Sequence, residues 1–391
     1  MRHPRCAATF AAAVVLAPFF TATAPVAVAS NDPAVDAPAI GDFVELTDRY
    51  LEQRADAVTV KSSQVDARFQ EGAMAVPTTD GLRQKLAAEY QQLAALAAEY
   101  KELDGGYVDA AVTVTPQGPF SQTETTVRLQ VTEDTKLYHP TADVAAGAPE
   151  AEEYSINHTL TFNRDDAGTW RLASDLADTG SMPPSTYMAE PRLDLEIPGE
   201  DSGTPDEPED DKTEMSSPTG ESTPGGESKP AQALAGYSYD KMAAYANKYW
   251  KNNNDAYRRY GNDCTNFISQ AMRAGGWKYN GDRRRHNSSW FYGSTSTIYT
   301  SYTWAGAENW YWFAKKWSKR TRILPYVQDL AKADVLQADF DRNNNINHTM
   351  IVTKGWRSNS YLSYHTPNVH NRSLKKILRK YPRAWWYAHR T

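Results

Sequence analysis

The chain has 391 residues, 40% of them hydrophobic, and a formal net charge of −6, which allows a sizeable core and more than one domain. The modest total hides two opposed halves: residues 1–230 carry 16 Lys+Arg against 39 Asp+Glu, and residues 231–391 carry 26 against 9. After the N-terminal stretch no run reaches the roughly 18 apolar residues that a membrane span needs, so a released or wall-associated product is expected and no membrane partner.

Arg2 and Arg5, the apolar run from Ala7 to Phe20, and small residues at Ala27 and Ala29 before Ser30 read as a secretory signal peptide over residues 1–29. Cys6 would leave with it, and Cys264 would be the one thiol kept. From Ala39 to Leu103 the pattern is helical, with Leu82, Leu86, Tyr90, Leu93 and Leu96 at three- and four-residue spacing. From Tyr107 onward β-branched and aromatic residues alternate, and "DDAG" supplies a turn between two runs. Helices followed by an antiparallel meander predict an acidic α+β accessory domain over residues 30–195. The pattern is similar to the cone-shaped domains of the nuclear-transport-factor and cystatin-like class. Its two histidines, His139 and His158, show no catalytic spacing and read as structural. Residues 196–235 are rich in Pro, Gly, Ser and acids, too poor in apolar surface to offset chain entropy, and read as a disordered linker.

Residues 236–391 hold ten of the eleven tryptophans. A first helix follows Ser238 as N-cap, with Met242, Tyr245, Ala246, Tyr249 and Trp250 on one stripe. A second begins in "DCTNFISQAMRAGG", where Asp263 suits the N-cap, Cys264 is the first helical residue and Phe267, Ile268, Ala271 and Met272 face the core. A thiol at a helix N-terminus meets the positive end of the dipole and free N–H groups, which lower its pKa and can receive an oxyanion. "INHTMIVT" predicts a strand starting near His348, and "YLSYHTPNV" predicts a neighbouring one that places His365 beside it. Cysteine, then histidine, then a polar residue is the order a thiol hydrolase needs: nucleophile, base, and a group that fixes the tautomer of the base.

The Asp-Cys-Thr-Asn-Phe block with the later "NHTMIVT" and "YHTPN" resembles the amidase domain of secreted Gram-positive, actinobacterial-type proteins, which belongs with the papain-like NlpC-type and CHAP cysteine hydrolases. The resemblance covers roughly Ser238 to Arg390. It implies a papain-like fold, Cys264 as nucleophile and His348 as general base. The third member stays open between His365, by the NlpC-type pattern, and Asn368, by the papain pattern. Ala333 stands where such domains usually have a glycine. Asn262 and Tyr260 are candidates for shaping the oxyanion side.

Asp339, Asp341, Asn343 and Asn345 partly echo a calcium loop, but glycine is missing at the sixth position and Met350 stands where a bidentate glutamate belongs. Cys264, His348, His365 and His370 match no compact zinc spacing. No metal and no cofactor is therefore expected. The charge asymmetry admits two readings: a basic face for an anionic wall polymer, or mutual attraction of the halves. Nucleic acid is not expected as a partner of an exported chain. The reading as a whole is a secreted cysteine amidase or peptidase acting on an amide or peptide substrate, with peptidoglycan as the candidate; the alternative is a non-catalytic wall-binding or adhesion protein.

Overall fold

The structure, a computed structural model, describes residues 39–70, 74–193, 212, 214–222 and 236–391. The expected signal peptide and most of the expected linker lie outside the described residues. Three helices open the first half: α1 (Ile40–Asp56), α2 (Ser62–Gln70) and α3 (Asp80–Asp104). In α3 the apolar spacing acts as expected, burying Leu86, Tyr90, Leu93 and Leu96. Gly105 ends that helix in the left-handed region at φ 75°, with its N–H on the carbonyl of Lys101.

The strands follow as β1 (Asp109–Pro116), β2 (Ser121–Gln122), β3 (Thr126–Tyr138), β4 (Ala151–Arg164) and β5 (Trp170–Ala177), with a short α4 (Thr141–Ala145) between β3 and β4. In the "DDAG" turn the Asp165 carboxylate accepts the N–H groups of Ala167 and Thr169. The second half adds α5 (Tyr239–Tyr249), α6 (Cys264–Ala274), α7 (Tyr302–Ala305), α8 (Ala307–Trp312), β6 (Arg322–Ile323), β7 (Val335–Asp339), β8 (His348–Lys354), β9 (Tyr361–Tyr364), β10 (Asn368–Ser373), α9 (Leu374–Lys380) and β11 (Trp385–Arg390). The chain is α+β, as its patterning predicts.

All eleven strands join one antiparallel sheet in the order β1-β3-β4-β10-β9-β8-β7-β11-β6, with β2 on β3 and β5 on β4. The 14-residue β4 is long enough to carry two partners on one edge. Its residues 158–164 pair with β5, while Glu153, Tyr154 and Ser155 pair with His370, Val369 and Asn368 of β10. The halves read from the sequence therefore share one sheet, and Ala39–Thr391 forms one compact unit.

Their opposite charges meet at the junction: Lys376 Nζ lies 2.6 Å from Asp104 and Lys251 Nζ 2.8 Å from Asp134. His370 Nδ1 lies 3.0 Å from Glu153 at the same junction. Residues 214–222, which fall in the expected linker, are strapped to the second half. The Ser216 N–H donates to Trp386 O, the Ser217 N–H to Pro325 O, and the Ser222 hydroxyl to Asp329. A segment without apolar anchors is held there because its backbone donors find acceptors along the sheet edge.

Strands β7 to β9 are covered on both faces. Val335 and Ile351 pack with α5, α6 and a tryptophan cluster of Trp277, Trp290, Trp304 and Trp310. Leu336, Met350, Val352, Leu362 and Tyr364 face the other way, into a core shared with Tyr100, Tyr154 and Met182 of the first half. Period-two alternation thus sends consecutive residues of β8 into different cores. That alternation governs the candidate site. Among the described residues no helix is long and apolar enough to cross a membrane.

Candidate active site

Each residue of the Asp-Cys-Thr-Asn-Phe block has a distinct contact. Asp263 occupies the N-cap position of α6, yet its side chain makes no cap hydrogen bond. Its carboxylate instead accepts the Tyr260 N–H at 2.9 Å and the Asn266 amide at 2.8 Å, and meets His365 Nδ1 at 2.7 Å. Thr265 Oγ1 lies 2.9 Å from Thr349 Oγ1 of β8. Asn266 accepts the Trp304 indole N–H at 2.7 Å. Phe267 stacks on the His365 ring with centroids 4.0 Å apart. The block is a local clamp that fixes the first turn of α6 against the sheet.

Cys264 is 1% exposed. Its thiol donates to Asn262 Oδ1 at 3.3 Å and lies 3.7 Å from Thr265 Oγ1. Burial pushes the thiol pKa up to about 11, against the pull of the Thr265 hydroxyl and the Thr349 and Thr265 backbone N–H groups, with the Asp263 charge adding to the rise. The expectation of a thiol lowered by the helix N-terminus is therefore corrected in this state. Desolvation outweighs the dipole, because the sulfur has almost no water left to stabilise its charge.

His348 opens β8, as expected, and is fully buried. Its Nδ1 lies 2.8 Å from Ser181 Oγ, and its ring packs edge-on against Tyr364 at 4.9 Å between centroids. Its Nε2 is buried without a hydrogen-bond partner. Burial, helped by the Arg372 charge, drops its pKa to about 3, so the ring is neutral near pH 7. Cys264 and His348 make no hydrogen bond in this state; the sulfur lies beside the N–H of Thr349, one residue further along β8.

The other two sequence candidates lie elsewhere. His365 does not stand beside His348 as expected. It follows the end of β9 and faces α5 and α6, with Nδ1 on Asp263 and Nε2 2.9 Å from Tyr249 O. Both its nitrogens are engaged on the sheet face opposite His348. Asn368 starts β10 and donates through Nδ2 to Lys251 O at 3.0 Å. Asn262 touches the sulfur, and the Tyr260 hydroxyl accepts from Arg258.

A polar cavity of about 250 Å³ lies between the halves, lined by Asn157, Asp178 and Gly180 on one side and by Tyr260, Gly261, Asp263, His365 and Asn368 on the other. It reaches Asp263, the residue before Cys264. Thr366, on its wall, is held at φ 63°, an uncommon region for a β-branched residue. Its hydroxyl accepts the Asp263 N–H at 2.8 Å, and its carbonyl accepts the Ser181 N–H and hydroxyl, both at 3.0 Å.

Sequence reasoning missed Ser181, which lies in "TGSMPPS" after β5. Its Gly-Pro content marks a turn-rich segment, but nothing in it points to a histidine 167 positions away. The suspected calcium loop is closed by its own backbone: Asp339 accepts the N–H groups of Arg342 and Asn344. Among the described residues no cluster of three metal-ligating side chains occurs.

Residues 236–389 match the family model described as "Putative amidase domain". Two curated relatives are the uncharacterized proteins YhbB and YjcM of Bacillus subtilis. YhbB is 36% identical over 118 residues, 30% of this chain and 37% of its own length. YjcM is 29% identical over 146 residues, 35% of this chain and 33% of its own length. The chain thus spans about a third of the length of each. A crystal structure of the Kfla4162 protein from Kribbella flavida aligns with 36% of this chain and 91% of that chain, at 16% identity and a TM-score of 0.23.

Proposed function

We propose that the chain is a secreted cysteine hydrolase that cleaves amide bonds, with cell-wall peptide as the substrate class. The match of residues 236–389 to an amidase-domain model supports amide hydrolysis. The observation that carries the cysteine reading is the placement of Cys264 at the first residue of α6, with its sulfur against the start of the strand that opens with an unpartnered imidazole nitrogen, His348 Nε2. In this reading the start of β8 must first shift, so that His348 Nε2, which here faces away from α6, replaces Asn262 as the partner of the thiol. The imidazole takes the proton as sulfur attacks the carbonyl, returns it to the departing amine, and water then cleaves the thioester. The N–H groups of Thr265 and Thr349, which already point at the sulfur, would stabilise developing negative charge. His365 would brace Asp263 and the first turn of α6. The described state is then a closed resting state.

Export and a wall substrate rest on the leader-like N-terminus and on the resemblance to secreted amidase proteins. A second reading, a wall-binding protein without turnover, is favoured by the buried, protonated thiol and the absence of a Cys264–His348 hydrogen bond. Amine release from purified wall fragments, read by mass spectrometry, separates the two. Turnover by the wild-type chain and none by Cys264→Ala supports the hydrolase. Equal release by both rejects it.

A further inference from the structure

The first half of the chain reaches the imidazole of the second through the buried hydroxyl of Ser181. After β5 the chain passes Gly180, where a Cβ would fall 2.3 Å from the carbonyl carbon of Thr366, so only glycine permits the approach. Ser181 follows, with no exposed surface. Further along, Pro183 O accepts from Arg372 Nη1, the Tyr381 hydroxyl and Lys380 Nζ at 3.0 to 3.2 Å. Ser181 is held from both sides.

Its hydroxyl carries one proton, and Thr366 O, 3.0 Å away, is a carbonyl oxygen that can only accept it. With the proton given to that carbonyl, the contact with His348 Nδ1 at 2.8 Å runs the other way, with Nδ1–H donating and Ser181 Oγ accepting. A neutral imidazole has one N–H, so its lone pair is left on Nε2. That is the nitrogen buried without a partner.

We propose that Ser181 is the positioning residue of the site: it holds His348 in the Nδ1–H tautomer and leaves Nε2 as the proton acceptor. The catalytic part of this proposal rests on the hydrolase reading above. It also assigns a task to the first half of the chain, which supplies the orienting group from outside the amidase-matching segment. His365 and Asn368, the two sequence candidates for that task, have their side chains committed to other partners.

The test is nitrogen-15 NMR of the full chain labelled at histidine, using two-bond proton–nitrogen correlations near pH 7. The wild type is expected to show His348 as the Nδ1–H tautomer, a readout that needs no variant to fold. In Ser181→Ala the Nε2–H form should become the major one, and kcat on wall amides should fall at least about tenfold with KM held. An Nε2–H tautomer in the wild type, or an unchanged tautomer ratio in the variant, overturns the proposal. An Nδ1–H tautomer in a wild type that releases no amine overturns the hydrolase reading instead, leaving Ser181 as the residue that orients the ring.

Discussion

Thr265 and Thr349 touch through their hydroxyls at 2.9 Å, and each is one residue past a group of the candidate site. Thr265 follows Cys264 and Thr349 follows His348. Because strand side chains alternate, a Thr349 turned toward α6 sends His348 to the far face of the sheet. The contact that seats α6 on β8 thus also sets the separation of thiol and imidazole. Thr349 accepts in addition from Gln337 Nε2 at 3.1 Å. Thr349→Val removes that acceptor and should cost about 1–3 kcal/mol in urea unfolding. Thr265→Val on top of it should add less than its own single cost; full additivity would show that the two hydroxyls do not interact.

The thiol of Cys264 is raised to about 11 by burial. Alkylation by iodoacetamide at pH 7, mapped to Cys264 by peptide mass, should run at least about a hundredfold slower in the folded chain than in urea, because only the thiolate reacts. The folded rate should climb as pH approaches 11. Rapid labelling at neutral pH would show that the sulfur is activated and open in solution.

Three buried imidazoles, His139, His348 and His389, have pKa values lowered to about 3 by desolvation. The unfolded chain takes up these protons near pH 6.5 and the folded chain does not, so unfolding is favoured as pH falls from 6.5 toward 3. Each group adds about 1.4 kcal/mol per pH unit in that window, a combined slope of roughly 4 kcal/mol per unit. Asp334, a carboxyl raised by burial to about 7, offsets one group's share of that slope above about pH 4. Chemical denaturation at a series of pH values should show a steep acid limb, and His389→Gln should lower its slope.

His158 has the opposite sign. Set between Glu133 at 2.9 Å and Asp175 at 2.7 Å, its pKa rises to about 10, since the two carboxylates outweigh a large desolvation penalty. Its contribution is fully present below pH 6.5 and is lost as pH climbs toward 10. His158→Gln should cost about 3–5 kcal/mol at neutral pH by leaving buried carboxylates uncompensated. It should also flatten the dependence between pH 6.5 and 10; an unchanged pH profile would show that the ring is neutral in the fold.

Lys376 of α9 and Asp104 at the end of α3 join the halves at 2.6 Å, with the ammonium fully buried. Together with the β4–β10 pairing this predicts one cooperative calorimetric transition for residues 39–391. Asp104→Asn should lower stability by about 3 kcal/mol without splitting that transition. Two resolved transitions would mean that the halves fold independently.

Much of this protein is written locally. Leucine spacing sets α3, and a polar residue followed by an apolar stripe sets α6 from Cys264. Alternating β-branched residues start β8 at His348, because 3.6- and 2-residue periods act over a few neighbours. The charge contrast between the halves was also visible, and their mutual attraction was one of the two readings it admitted; which residues pair at the junction was not. Which face of β8 carries the imidazole depends on the register of Thr349 against Thr265. The partner of that imidazole depends on a turn that packs 167 residues away. Such contacts join chain segments whose separate sequences carry no record of each other, so they are decided only when β4 and β10 close the sheet and bring Ser181 to His348.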